Sequence, residues 1–430
     1  MLLENSSKPS RYIALVDCNN FYASCERLFK PAWRTKPVGV LSNNDGCIVA
    51  RSNELKAAGI PMGAPYFKYK KQLQAMGAEI VSSNYELYGD MSARVMSTLE
   101  QLAPDVEVYS VDEAWLHLEG FESSSFDAYC ADVVTKTTQY TGIPVSMGVA
   151  PTKVLAKLAS HICKKRGLVP AVFRIDIDNS LDEFLEAIKV GDVWGIGRRW
   201  AKSLNEIGIC TALELKNYDT RQARTRYNVV MERIIRELRG ESCIEKENIE
   251  PKKQIIASRS FGNRVEDRES LVQSVSLHAS RAAEKLRAQD SVCGVMQVFI
   301  RTSPFAKNEQ FYSNAIQVRF DPPTSDTRLL IGAARAGISR IFRSGKRYAK
   351  AGVTLNDITQ ESALQKNLFS DGDSTKSIEL MQAIDAINNR YSKRTAFFAS
   401  QSTNNKAWAM QRGRMTQAYT TRFDELMLVG

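Results

Sequence analysis

The spacing of apolar residues divides the chain into short strands and amphipathic helices. "YIALVD" (Tyr12–Asp17) is an apolar run that ends in an acid, the pattern of a buried strand. "NNFYASCERLF" follows with Phe21, Cys25 and Phe29 at helical spacing. "PVGVLSNNDGCIVARS" predicts a hairpin, two apolar strands joined through Asn44-Asp45-Gly46, residues that tolerate positive φ. A short helix should begin near Ser52 and end at Gly59, and "ELYGDMSARVMSTLEQLAP" should be a longer one stopped by Pro104. "VEVYSVDEAWLHLEG" (Val106–Gly120) reads as a second hairpin, followed by a helix over Phe126–Tyr140. "IPVSMGVAPTKVLAKLASHICKK" gives strand, turn and basic helix. Strands interleaved with helices predict an α+β domain with a mostly antiparallel sheet.

Near Val190 the pattern changes. "VGDVWGIGRRWAKSLNEIGICTALELKNY" reads as helix, Gly-x-Gly turn, helix, with Gly195 and Gly197 in the turn. Two readings stand side by side: a helix-hairpin-helix whose turn amides meet a DNA phosphate, or an ordinary helical hairpin with a glycine turn. "ENIEPKKQ" is charged and contains a proline, as a linker would. A second αβ unit follows, with a long helix, "ESLVQSVSLHASRAAEKLRAQ", the strands "VCGVMQVFIRT" and "NAIQVRF", and the helix "RLLIGAARAGISRIFRSG". Basic residues recur along it, Arg301 and Arg319 among them. Past about Asp357 the chain is polar and Ser/Asn-rich.

The hairpin Val106–Gly120 poses the chemical question. Asp112 and Glu113 interrupt an apolar run, and charges are rarely buried unless paired or bound to a cation. The first strand also ends in an acid, Asp17. If the two strands are sheet neighbours, three carboxylates converge, and they would repel unless compensated. A divalent cation meets that need; hard oxygen donors suit Mg²⁺, which keeps positions for water and substrate phosphates. Strand neighbours point to opposite faces, so Asp112 and Glu113 can share a site only at a turn or bulge. A salt bridge or a solvated hairpin tip is the plainer alternative. Lys56, Lys153 and Lys157 are placed to meet a triphosphate as point charges, or to be solvated helix lysines.

Composition narrows the field. The chain has 430 residues, 43% hydrophobic and 25% charged, and a formal charge of +10. Several domains and a polyanionic partner, nucleic acid before membrane, are expected. Eight scattered cysteines and three histidines, with no Cys-x-x-Cys pair, argue against a zinc site or a disulfide framework. A reducing, cytoplasmic setting is the expectation. "MLLENSSKPSR" lacks the apolar region of a signal peptide, and no apolar run suits a membrane span.

"ALVDCNNFYASCE", "NNDGCIVARSNELKAAGIPMG", "YSVDEAW", "SMGVAPTKVLAKLAS" and "VWGIGRR" resemble, in order, motifs of the Y-family translesion DNA polymerases, and of the UmuC subgroup within them. The resemblance runs from about Arg11 to the C-terminus. It implies an α+β multi-domain right hand: an antiparallel-sheet palm (11–18 and 86–174), small fingers (19–85), a helical thumb (175–240), a linker (241–256), an αβ little finger (257–357) and a C-terminal tail (358–430). It implies Asp17, Asp112 and Glu113 as catalytic metal ligands for two Mg²⁺ ions, with the Cys18 carbonyl completing one site. Tyr22 matches the family's steric gate, a ring that leaves no room for a ribose 2′-hydroxyl, with Phe21 beside it. Lys56 and Lys157 match its triphosphate ligands. Asn53 departs from the pattern, standing where many members have a phosphate-binding tyrosine. Gly195 and Gly197 in the thumb, and Arg301 and Arg319 in the little finger, would grip primer-template DNA through phosphates.

In "ALQKNLFSDGD", Gln365, Leu368 and Phe369 match the peptide that docks on the sliding clamp, although Lys366 stands where leucine is common. "AWAMQRGRMTQAYTT" resembles the UmuC tail, with Thr416-Gln417 in place of the usual Ser-Pro. The partners implied are primer-template DNA, a dNTP, a processed UmuD-type dimer, a RecA filament and the clamp, in error-prone synthesis during the SOS response, with no membrane partner. Two rivals are a catalytically silent DNA-binding repair accessory protein and a nucleotidyl cyclase. Intact acids argue against the first, and the thumb-like and basic segments are superfluous for the second.

Overall fold

The computed structural model describes residues 11–121, 123–177, 181–246, 250–306, 309–364, 373–391, 394–401 and 408–426. These divide between two compact units, one within Met1–Ser42, Cys47–Glu247 and Arg414–Gly430, the other within Asn43–Gly46 and Asn248–Gly413.

The first unit holds β1 (Tyr12–Cys18), α1 (Phe21–Phe29), β2 (Val38–Leu41), β3 (Ile48–Arg51), α2 (Asn53–Ala57), α3 (Tyr66–Ala75), β4 (Glu79–Ser82) and α4 (Tyr85–Leu102). It continues through β5 (Val106–Val108), β6 (Glu113–Leu118), α5 (Ser123–Thr141), β7 (Val145–Ala150), α6 (Lys153–Arg166) and β8 (Val172–Arg174). Five short helices follow: α7 (Leu181–Glu186), α8 (Arg198–Asn205), α9 (Ala212–Asn217), α10 (Thr220–Arg226) and α11 (Val229–Leu238).

Five strands form one sheet in the order β5-β6-β1-β7-β8, antiparallel except for the parallel β7–β8 pair. Side chains alternate across it. Ala14, Val16, Leu116 and Leu118 pack with α4 and α5. Ile13, Leu15 and Trp115 pack on the other face, with α6 and the helices α7–α11. Period two therefore carries Asp17 and Glu113 to the α6 face. Gly148 on β7 lets α6 approach closely: a Cβ there would stand 2.1 Å from the Ser160 backbone nitrogen. A second sheet, β3-β2-β4, contains the expected hairpin, and Asn44 and Asp45 in its loop take φ of 60° and 51°. The first limb of the anticipated helix-turn-helix is only a 3-10 turn at Val190–Asp192, because Gly191 and the β-branched Val190 and Val193 are poor helix formers.

The second unit contains β9 (Ile255–Val265), α12 (Arg268–Arg287), β10 (Ser291–Thr302), β11 (Ser313–Thr324), α13 (Thr327–Ile341), β12 (Tyr348–Gln360) and α14 (Thr375–Arg390). Its antiparallel sheet runs β11-β10-β12-β9. Met296, Val298 and Ile300 face α12 and α13 in the core. The sheet begins before residue 257 and ends beyond 357, because Ile255 pairs with Leu355 and Gln360 with Ser291. Residues 358–430 are not one uniform tail either: they include a strand end and α14, and residues 414–426 belong to the first unit.

Candidate active site

Antiparallel register sets Asp17 of β1 directly opposite Glu113 of β6. Asp112 stands in the bend just before β6, outside the regular alternation. The Cys18 amide donates to the Asp112 carbonyl at 2.8 Å, which holds that bend against the end of β1. Ser110 Oγ donates to Asp112 Oδ1 at 2.6 Å, and the Tyr109 and Ser110 amides both donate to the Glu113 carbonyl at 3.1 and 3.0 Å. A tight turn thus frees two consecutive acids from the two-face rule of a strand.

Helix α6 brings two ammonium groups to these acids. Lys157 Nζ donates to Glu113 Oε1 and Oε2 at 3.0 and 2.9 Å, and Lys164 Nζ pairs with Asp17. Lys157 also lies 4.9 Å from the Tyr109 ring centroid and 5.6 Å from that of Trp194. Burial pushes the Asp17 carboxyl up to about 6; Lys164 opposes the rise and Glu113 adds to it. Cys18 is raised too, by burial first and then by Asp17 and Asp112.

The cleft in front of these groups measures 330 Å³ and is lined by Asp17, Cys18, Tyr22, Lys56, Asp112 and Lys164, among others. Asn20, left-handed at φ 52°, turns the chain from β1 into α1. Phe21 also borders the cleft but is buried in the core, whereas Tyr22 is only partly buried. The Lys56 ammonium is lowered by burial and by Arg51 and Lys164. Asn53 accepts from Asn20 Nδ2 at 2.9 Å.

Lys153 has a different fate from Lys157. It is 2% exposed and donates to both Glu107 oxygens at 2.9 and 2.8 Å, and to the Glu245 carbonyl, away from the cleft. Lys164, which sequence reasoning passed over, takes the place beside Asp17; its only sequence signal was a position two helical turns beyond Lys157.

Among the described residues, no three His, Cys, Asp or Glu side chains already stand as a metal site. The lysines hold Asp17 and Glu113 instead. The donor set still fits a hard divalent cation: three carboxylates and the Cys18 carbonyl at one sheet end, hard oxygen donors of the kind Mg²⁺ takes.

The other expected contacts fall as follows. Gly195 (φ 90°) and Gly197, the N-cap of α8, are exposed on the first unit. Arg301 and Arg319 are exposed on the outer sheet face of the second unit, Arg301 opposite Lys350 and Arg319 opposite Val295. Gln365, Leu368 and Phe369 lie outside the described residues. No helix among the described residues is long and apolar enough to cross a membrane.

Three family models match the sequence. The impB/mucB/samB family covers residues 16–161, its C-terminal domain covers 252–368, and a domain of unknown function covers 379–429. Protein UmuC of Salmonella typhimurium is 46% identical, over 97% of this chain and 99% of its own. DNA polymerase IV of Caulobacter vibrioides is 27% identical over 88% of this chain and 91% of its own. Among solved structures, a Y-family DNA polymerase chimera of Dbh and Dpo4 superposes with a TM-score of 0.60 at 19% identity, covering 81% of this chain and 99% of that one. An insertion ternary complex of Dbh DNA polymerase superposes at 0.52, with the same identity and coverage.

Proposed function

This chain belongs to the impB/mucB/samB family, within the Y-family polymerases, and from that premise we propose how its cleft works. The chain is a template-directed DNA polymerase of the translesion class. The observation that carries the mechanism is the Asp17–Glu113 cross-strand pair, tied to Asp112 through the Cys18 amide, in a cleft beside Tyr22.

In this reading Asp17, Asp112, Glu113 and the Cys18 carbonyl hold the divalent ions, two Mg²⁺. When bound, the ions supply charge stabilisation for nucleotidyl transfer to the primer 3′-hydroxyl. The protein's own groups do the rest. Lys157 and Lys164 pair with the Glu113 and Asp17 carboxylates, then exchange them for triphosphate oxygens, an anion they meet as point charges. Lys56 adds a third cation from α2. Tyr22 lies under the sugar with Phe21 behind it and excludes a 2′-hydroxyl by clash. The exposed Gly195 and Gly197, with Arg301 and Arg319, grip DNA phosphates without reading bases. The Gln365, Leu368, Phe369 peptide is assigned to the sliding clamp. A processed UmuD-type dimer and a RecA filament are the further partners that membership of the UmuC group supports.

Primer extension across a template abasic site tests this. Extension that requires Mg²⁺ and stops with chelator is expected. DNA binding with no extension under any metal, even with a UmuD-type dimer and activated RecA, would instead favour the silent accessory protein.

A further inference from the structure

Residues 414–425 close onto the first unit by a set of directional contacts. The Arg414 amide donates to Ser82 Oγ at 3.0 Å and the Ser82 amide donates back to the Arg414 carbonyl at 3.1 Å, so the segment continues from the end of β4. Asn84 caps α4 through Oδ1, which accepts from the Leu87 amide. Its Nδ2 faces the Thr416 and Gln417 carbonyls at 3.2 and 3.0 Å. Tyr419 is 4% exposed and stacks on Phe29 of α1, with ring centroids 4.9 Å apart.

One of these contacts leads to the cleft. Thr416 Oγ1 donates to Glu26 Oε1 at 3.2 Å, and the Tyr88 hydroxyl donates to the same oxygen at 2.6 Å. Glu26 is 0% exposed, and its other oxygen has no hydrogen-bond partner among the described residues. Tyr88, 1% exposed, lies flat on Tyr22: centroids 4.4 Å apart, planes 14° from parallel. Tyr22 and Glu26 are one helical turn apart on α1, so the helix presents the gate to the cleft and anchors the ring behind it one turn later. Tyr22 cannot tilt away from a nucleotide unless Tyr88 moves, and Tyr88 is fixed at both its face and its hydroxyl.

We propose that the 414–425 segment is a clasp for the sugar pocket, with Thr416, Glu26 and Tyr88 as positioning residues that hold Tyr22 rigid and so make ribonucleotide exclusion depend on the C-terminal segment. The inference deepens the reading of Tyr22 as the steric gate and rests on it. It also gives a role to part of the matched domain of unknown function. Rigidity is what a steric filter needs, because a ring free to shift by a fraction of an ångström admits the extra oxygen.

The test is single-nucleotide insertion by the full-length chain on primer-template DNA, reading kcat/KM for a dNTP over that for the matching ribonucleotide. Tyr22→Ala should collapse the ratio. Thr416→Val and Tyr88→Phe, which keep shape and lose one hydroxyl, should each lower it about 3- to 10-fold, the scale of one lost hydrogen bond. Thr416→Ser should restore it. A merely structural clasp would slow both nucleotides in proportion; an unmoved ratio in Thr416→Val and Tyr88→Phe, with Tyr22→Ala collapsed, overturns the proposal. An unmoved ratio in Tyr22→Ala itself overturns the gate assignment, and the clasp with it. Thermal melting of each variant separates a lost fold from a loosened gate.

Discussion

The cleft of the first unit and a cationic cluster of the second handle charge in opposite ways. In the first, the two cross-strand acids each have a lysine, Asp17 with Lys164 and Glu113 with Lys157, while Glu107 takes Lys153 out of the way. In the second, cations crowd cations. Arg281 is lowered by burial and by Arg259, His278 by burial and by Arg281 and Arg259, and Lys350 by burial and by Arg301. Among the described residues no ion pair relieves Arg259, Arg281 or Lys350. A site of matched pairs can exchange partners, as transfer chemistry requires. A region of unmatched positive charge is completed only by an anion from outside, and a DNA backbone is such an anion.

The largest effect expected from breaking this contrast is at an acid. Asp112→Ala should cut primer extension on the order of 10³-fold while DNA affinity, measured by anisotropy, stays near wild type. Retained extension would remove Asp112 from the mechanism. In the second unit, burial among Arg281, Arg259 and Lys350 holds His278 neutral, down to about 3 from its ordinary 6.5. The unfolded chain therefore binds the extra proton first, and stability is lost as pH falls below 6.5. The slope approaches about 1.4 kcal/mol per pH unit. Urea melts at pH 7, 6 and 5 should show this, and His278→Gln should flatten it. Lys157→Met should raise KM for dNTP about 10-fold; a fall in kcat alone would mean that Lys157 only braces Glu113. The smallest change is Arg319→Ala, which should reduce the salt slope of DNA binding by ~1.

Much of the site was legible because it depends on local rules. An acid at the end of an apolar strand, Asn44-Asp45-Gly46 in a hairpin loop and the 3.6 period of α12 each announce themselves within a short window. What stayed hidden depends on pairing across long separations. Period and composition cannot say that β1 lies between β6 and β7, so the Asp17–Glu113 pair was only conditional. Lys153 and Lys157 looked alike on one helix; Glu107, brought in by the β5–β6 hairpin, is what separates them. Lys164, in the last turn of α6, drew no reading from the sequence, and only the close seat of α6 on Gly148 shows that it reaches Asp17. The return of residues 414–425 to α1 and β4 has no local signal.

That return has a consequence for the order of assembly. Glu26 and Thr416 are separated by 390 positions. At about 5–20 residues per second of synthesis, Glu26 waits roughly 20–80 s for its second hydrogen-bond donor. Through that interval a buried carboxylate must be sheltered by Tyr88 alone. The unit that begins to fold first is therefore the one finished last, and a ribosome that stalls after the second unit releases a polymerase cleft whose gate has not yet been set.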